Sequence, residues 1–386
     1  MKKILILYPY PFIKRDYERF GIEILKKSFD VKVLNLVPWL RPDIWKKYSD
    51  TIFNFKEYFT VTSKEDFIDF IKGSDFNIIF DLMYADSKTN WIRRRLKTDK
   101  NFFVNIEVNA IPEPKIHIVE NIKKVLKFQM SPIKILKKVL FFLKKKYYNF
   151  RKIKSDISIN GGLFSLKNSK AKIKIQAHTM DYDIYLENIN KKNKKEEKNY
   201  AVFIDEGPFY NPDSDIFYPV PFKEDEYFLT LLDFFRKFKN ETNLDILFAV
   251  HPKTSPKNLK KCSNYLKEIK CVIGNTAELV KDSKVVLTHE STALSYAILF
   301  NKPLIFITSD EINDSWMKPH IDAFNKIINS HVINISKKKT EPLNTEKLFK
   351  IDKNGYNKYL YDFLKIPNSP NLPLWEIFSQ EIKKLP

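Results

Sequence analysis

The stretch that decides the fold is residues 284–309, KVVLTHESTALSYAILFNKPLIFITS. Val285, Val286 and Leu287 make a short apolar run suited to a buried parallel strand, and residues 293–299 suit a helix whose small side chains pack closely on a sheet. A second strand follows a short loop and ends at Ile307. Thr288, His289, Glu290, Ser291 and Thr292 occupy the joint between first strand and helix. Ser291 or Thr292 is placed to cap that helix, and the free N–H groups of its first turn offer an anion site just beyond a strand's carboxyl end. Open α/β sheets bind ligands in such crevices, although Ser and Thr caps are also commonplace in ordinary helices.

Outward from this stretch the same rhythm repeats. A strand at residues 200–204 ends in Asp205-Glu206-Gly207-Pro208, a helix at 224–238 crosses over, and a strand at 245–250 ends in His251-Pro252-Lys253. A helix at 256–269, a short strand at 270–273, Gly274 and a helix at 276–281 carrying Glu278 lead back to residue 284. Beyond it lie a helix at 318–329 and a weak strand at 332–335. The N-terminal half opens with a strand at 3–8, a helix at 18–28 and a strand at 31–36. It continues with a helix at 67–71 and strands at 77–82, 102–106 and 170–176. Polar residues 188–199, NINKKNKKEEKN, read as a linker. The expected class is therefore α/β with two Rossmann-like, doubly wound domains, residues 1–190 and 200–365. A terminal helix in 366–386 returns to the first domain.

Composition narrows the partners. Sixty-seven Lys and Arg against 47 Asp and Glu give a formal charge of +20, which favours anions: nucleotide phosphates, an acidic membrane surface or nucleic acid. Cys262 and Cys271 provide neither a disulfide framework nor metal-ligand spacing, so a reducing cytoplasm is expected. No run approaches the ~20 apolar residues that span a bilayer, and the opening MKKILILYP is too short for a signal-peptide core. Tyr8-Pro9-Tyr10-Pro11 stands where a GxGxxG turn would follow the first strand, and seven glycines in 386 residues leave no phosphate loop. From Ser131 the sequence SPIKILKKVLFFLKKKYYNFRKIK runs helically with a Leu136, Val139, Leu140 and Leu143 face flanked by lysines. That profile fits a helix lying on an anionic membrane, and equally a core-facing helix with a solvated lysine face.

Three polar clusters fall at carboxyl ends of strands in the second domain: Asp205 and Glu206, then His251, then His289 to Thr292. In a parallel sheet these ends share one edge, so together they supply a carboxylate, an imidazole and a phosphate cradle. Phosphate-leaving glycosyl transfer uses that set, a carboxylate to deprotonate an acceptor hydroxyl and cationic or N–H groups to take charge on the departing phosphate. Asp205-Glu206-Gly207 resembles the acidic-acidic-glycine motif of bacterial sialyltransferases, His251-Pro252 their His-Pro motif and Ser291-Thr292 their Ser/Thr pair, in the same order along the chain.

The resemblance implies a GT-B fold, two Rossmann-like domains facing a central cleft, and an inverting glycosyltransferase of lipopolysaccharide or capsule biosynthesis. Its donor would be a CMP-activated nonulosonic acid or Kdo and its acceptor a cell-surface glycan or glycolipid. It implies Asp205 or Glu206 as base and His251 as catalyst on the CMP phosphate. Ser291 and Thr292 would hold that phosphate and Glu278 the ribose, with Gly207, Pro252, Lys253, Gly274, His289 and Glu290 around the donor. No metal or other cofactor is expected, since one phosphate is neutralised by His251 and the helix end. Asp181-Tyr-Asp183 and Asp213-Ser-Asp215 have the spacing of a metal pair without a strand-end setting. The competing readings are a UDP-sugar GT-B transferase or epimerase and, outside enzymes, a basic nucleic-acid-binding protein. The expected location is cytoplasmic, peripheral on the inner face of the cytoplasmic membrane.

Overall fold

The computed structural model describes residues 1–114, 140, 143–144, 146–190, 198–210, 220, 222–336 and 342–385. Two sheets, parallel throughout, organise them. The first is built from β1 (Lys3–Tyr8), β2 (Asp30–Asn35), β3 (Tyr58–Thr60), β4 (Ile78–Asp81), β5 (Phe102–Glu107), β6 (Ile157–Asn160) and β7 (Ile173–Gln176) in the order 3-2-1-4-5-6-7. The second contains β8 (Tyr200–Ile204), β9 (Asp245–Val250), β10 (Lys270–Ile273), β11 (Val285–Thr288), β12 (Leu304–Thr308) and β13 (His331–Asn334) in the order 10-9-8-11-12-13. Strand order reverses between β1 and β4 and between β8 and β11, and crevices open beyond strand ends at such reversals.

Alternation along each strand sends successive side chains to opposite faces, and both faces are covered. Ile4 and Ile6 join Phe80 and Val104 on one side of the first sheet, while Leu5 and Leu7 join Phe67, Ile79 and Ile92 on the other. In the second sheet Val202, Val286 and Phe306 share one core, and Ala201, Phe203, Leu287 and Ile305 share the opposite one with Phe235 and Phe238.

The last helix, Leu374–Lys383, lies on the first domain. Trp375 and Phe378 pack against Phe80, and the Trp375 indole N–H donates to the carbonyl of Arg19 at 2.7 Å. Gly21 makes that docking possible. A β-carbon there would fall 2.2 Å from Trp375 Cδ1, and its φ of +53° disfavours any other residue. The same glycine breaks the expected helix at 18–28 into two short ones, Lys14–Arg19 and Ile22–Lys26. The chain recrosses between the domains where His178 and Lys365 pair antiparallel, with Thr179 donating to the Leu364 carbonyl at 2.8 Å.

Strands β3 and β6 were not anticipated from the sequence, nor was the helix Met180–Asn190 that enters the stretch read as linker. The sequence-expected basic helix lies largely outside the described residues. Of its described positions, Leu140, Leu143, Tyr147 and Phe150 are exposed. Among the described residues no helix is long and apolar enough to cross a membrane.

Candidate functional site

A cleft of about 910 Å³ separates the two domains and is lined from both. The loop after β9 supplies His251, Pro252 and Lys253, and the turn after β10 supplies Gly274 and, on the helix Thr276–Asp282, Glu278. Asp205 follows β8, and Ser291 and Thr292 stand beyond β11. These eight sequence-singled residues thus meet in one cavity. Glu206, Gly207, His289 and Glu290 do not line it.

The turn after β11 differs from the expected phosphate cradle. Glu206 points into it, and its Oε1 accepts from the Thr288 hydroxyl at 2.9 Å and from the backbone N–H groups of His289, Glu290 and Ser291 at 3.0 Å each. The chain's own carboxylate already fills the anion site that the exposed N–H groups would offer. Ser291 does cap the following segment, its hydroxyl accepting from Ala293 N at 3.4 Å, but a 3₁₀ turn, Thr292–Leu294, precedes the short helix Ser295–Leu299.

His289 is fully buried, its Nε2 against the Tyr227 hydroxyl at 3.0 Å and its Nδ1 against the Ile307 carbonyl at 2.6 Å. It braces β11 against the β12 side of the sheet and does not face the cleft. Burial, and then Glu206, push the Glu290 carboxyl up to about 9. Gly207, at φ +64°, turns the chain so that its N–H returns to Asp205 Oδ1 at 2.9 Å.

Asp205 is 6% exposed yet lines the cleft. Its second oxygen accepts from His251 N at 3.2 Å. Burial raises its pKa to about 7, with Glu206 adding to the shift and the two N–H donors opposing it. A carboxyl tuned there exchanges its proton near neutrality, where a general base works best. The neighbouring imidazole departs from the cationic form expected of it. Burial, then Lys253 and Arg15, lower His251 to about 3, so its ring is neutral at pH 7, with Nδ1 accepting from Lys253 N at 3.3 Å.

The first domain contributes Arg15, which was not singled out from the sequence, and Asp181, which was noted there with Asp183. Arg15, in the short helix after β1, reaches the cleft. It is mostly buried, and burial followed by Arg19 lowers its pKa. Asp181 lines the same cavity and ties the halves together. It accepts from Arg19 Nη2 at 2.9 Å on the first domain, and from the Ser295 and Tyr296 hydroxyls at 2.7 and 3.2 Å on the second. The available signal for its helix was Thr179, whose hydroxyl accepts from Tyr182 N at 3.2 Å as a cap. Asp183 instead accepts from Leu374 N at 2.9 Å, at the start of the terminal helix. Asp213 and Asp215 lie outside the described residues. Among the described residues no group of three or more His, Cys, Asp or Glu could hold a metal ion.

Neither protein-family models nor curated proteins match the chain. Solved structures do. A variant of the wall teichoic acid polymerase TagF superposes with a TM-score of 0.52 at 13% identity, covering 99% of this chain and 88% of that one. MurG of Acinetobacter baumannii gives 0.50 at 8% identity with both chains fully covered. A UDP-N-acetylglucosamine 2-epimerase from Rickettsia bellii gives 0.49 at 13%, covering 99% and 95%. At these identities TagF and MurG speak to architecture alone. With two parallel doubly wound sheets facing a shared cleft, the chain has the GT-B fold.

Proposed function

We propose that the protein is a glycosyltransferase whose donor is a nucleoside diphosphate sugar, a UDP-sugar foremost, and whose acceptor is a glycan or glycolipid. One observation carries the choice of donor. Arg15 and Lys253, one from each domain, both line the cleft and both act electrostatically on His251, with Ser291 and Thr292 on the same cavity wall. Two basic side chains balance a diphosphate, whereas a CMP ester brings one phosphate charge. Since Glu206 occupies the turn's N–H groups, the phosphates would rely on these side chains and on the two hydroxyls.

The chemistry follows from the groups at hand. An acceptor O–H gives its proton to ionised Asp205 as its oxygen bonds to the anomeric carbon. The carbon–oxygen bond to phosphate breaks with its electrons going to the phosphate oxygen. Arg15, Lys253, Ser291 and Thr292 stabilise that oxygen, and the low-dielectric cleft strengthens each contact. Neutral His251, whose Nδ1 accepts from Lys253 N, carries its ring hydrogen on Nε2 and would donate a hydrogen bond to that oxygen. Asp205, not Glu206, is assigned as the base because Glu206 is engaged by four donors away from the cleft. Glu278 is the group assigned to the ribose. No metal is needed on this reading, and activity abolished by EDTA and restored by Mg²⁺ would contradict it.

A second reading, a CMP-nonulosonic acid donor, keeps one observation in its favour: Asp205, His251, Ser291 and Thr292 meet in one cleft. Calorimetry with UDP, CMP and a short oligonucleotide separates the possibilities. The proposal expects UDP to bind at least about tenfold more tightly than CMP, with Arg15→Ala erasing most of the difference. Tighter CMP binding transfers the assignment to the second reading, and binding of the oligonucleotide alone removes the enzyme.

For location, exposed Leu140, Leu143, Tyr147 and Phe150 beside Lys144, Lys146 and Arg151 support contact with an anionic membrane. Flotation with anionic but not neutral liposomes is the expected result. Equal recovery with both, or none with either, removes it.

A further inference from the structure

The chain has two cysteines in 386 residues, and they meet. Cys262, on the helix Pro256–Leu266, and Cys271, on β10, lie with their sulfurs 4.0 Å apart. Cys262 is buried and Cys271 half-buried, so an oxidant reaches the second first. A hydrogen bond from the Cys262 thiol lowers Cys271, which favours its thiolate, while the same bond and burial raise Cys262. Both elements meet the cleft at one end: Ser255 and Pro256 begin the helix, Ile273 ends the strand and Gly274 follows it.

We propose that Cys262 and Cys271 are a reversible two-electron redox pair whose disulfide clamps the nucleotide-side wall of the cleft. The oxidant class is a hydroperoxide. The Cys271 thiolate attacks it, forming an S–O bond as the O–O bond breaks and hydroxide leaves. The Cys262 sulfur then attacks the sulfenic acid, forming the S–S bond and releasing water. Two thiols and one hydrogen peroxide become one disulfide and two waters, the sulfurs losing two electrons and the peroxide oxygens gaining two. Closing the bond brings the sulfurs from 4.0 Å to about 2.0 Å, drawing helix and strand together. The segments they carry, 251–256 and 273–278, then open less often.

The test treats the full chain with hydrogen peroxide and reads mass, free thiols and hydrogen exchange, none of which depends on donor identity. The expected results are loss of two hydrogens, loss of both titratable thiols, and amide exchange about tenfold slower in the two segments, all reversed by a dithiol reductant. Cys271→Ser, at the half-exposed position, abolishes the slowing, and Cys262→Ala does so independently. Thiols that persist, Cys271 gaining oxygen without cross-linking, or a disulfide that leaves exchange unchanged would each overturn the proposal.

Discussion

Asp81 and Asp205 are both buried aspartates at the carboxyl end of a parallel strand, one in each domain, and their surroundings are opposite. Asp81 ends β4 and is gripped by Arg93, whose Nε and Nη2 donate to its two oxygens at 2.7 and 3.0 Å. Arg93 is itself completely buried, and its remaining N–H groups go to Thr89, Asn90 and the carbonyls of Met83 and Tyr84. Asp205 has two backbone N–H groups in place of a cation, and a second carboxylate beside it. Buried with a matched cation, the residue holds a turn together. Buried without one, it keeps a proton to about pH 7 and becomes able to exchange it.

The sharpest way to break this contrast is to neutralise each member. Asp205→Asn should lower turnover by ~10²- to 10⁴-fold while leaving UDP binding intact, because the amide keeps the shape but accepts no proton. Normal turnover would end the assignment of Asp205. Asp81→Asn should cost about 3–5 kcal/mol of stability in denaturant melts by stranding a buried guanidinium. A change under about 1 kcal/mol would mean that the pair is not structural.

Glu206→Gln sharpens the comparison from the other side. The amide oxygen still accepts from the turn, so folding survives, while loss of the neighbouring charge lowers the Asp205 pKa. The alkaline-going limb of the pH–rate profile should then move to lower pH. An unmoved limb would show that Glu206 does not tune the base.

The smallest effect concerns Glu290. Its folded pKa of about 9 lies far above that of the unfolded chain, so the native state binds the extra proton. Its stabilising contribution is complete below the ordinary carboxylate range and is lost as pH rises through about 9. Asp205 acts in the same sense up to about 7. His251, depressed to about 3, acts oppositely, contributing above the ordinary imidazole range and losing that contribution as pH falls through about 3. Glu290→Gln should therefore melt less differently at pH 5 and pH 8.5 than the parent. An identical pH dependence would count against a buried protonated carboxyl.

Much of this architecture was legible because buried parallel strands are short apolar runs, and the rule that ligands gather at strand ends picked out Asp205, His251 and Ser291. β6 escaped because Ser158 and Asn160 make it look polar. Their partners lie beyond the strand as well: Asn160 Nδ2 donates to the Ile175 carbonyl on β7 at 3.3 Å, and Ser169 donates to the Ser158 hydroxyl at 2.8 Å. Glu206 was indistinguishable from Asp205 as a letter. Its direction follows from the left-handed turn at Gly207 and the crevice between β8 and β11. Arg15 enters the site only through the packing of one domain on the other, which no local pattern encodes.

The measurement that bears most directly on the account is the titration of the Asp205 carboxyl by ¹³C NMR, assigned by loss of the signal in Asp205→Asn and needing no substrate. A midpoint near pH 7, moving down in Glu206→Gln, is expected. A midpoint in the ordinary aspartate range, about 4, would contradict it and make Asp205 one more structural turn residue.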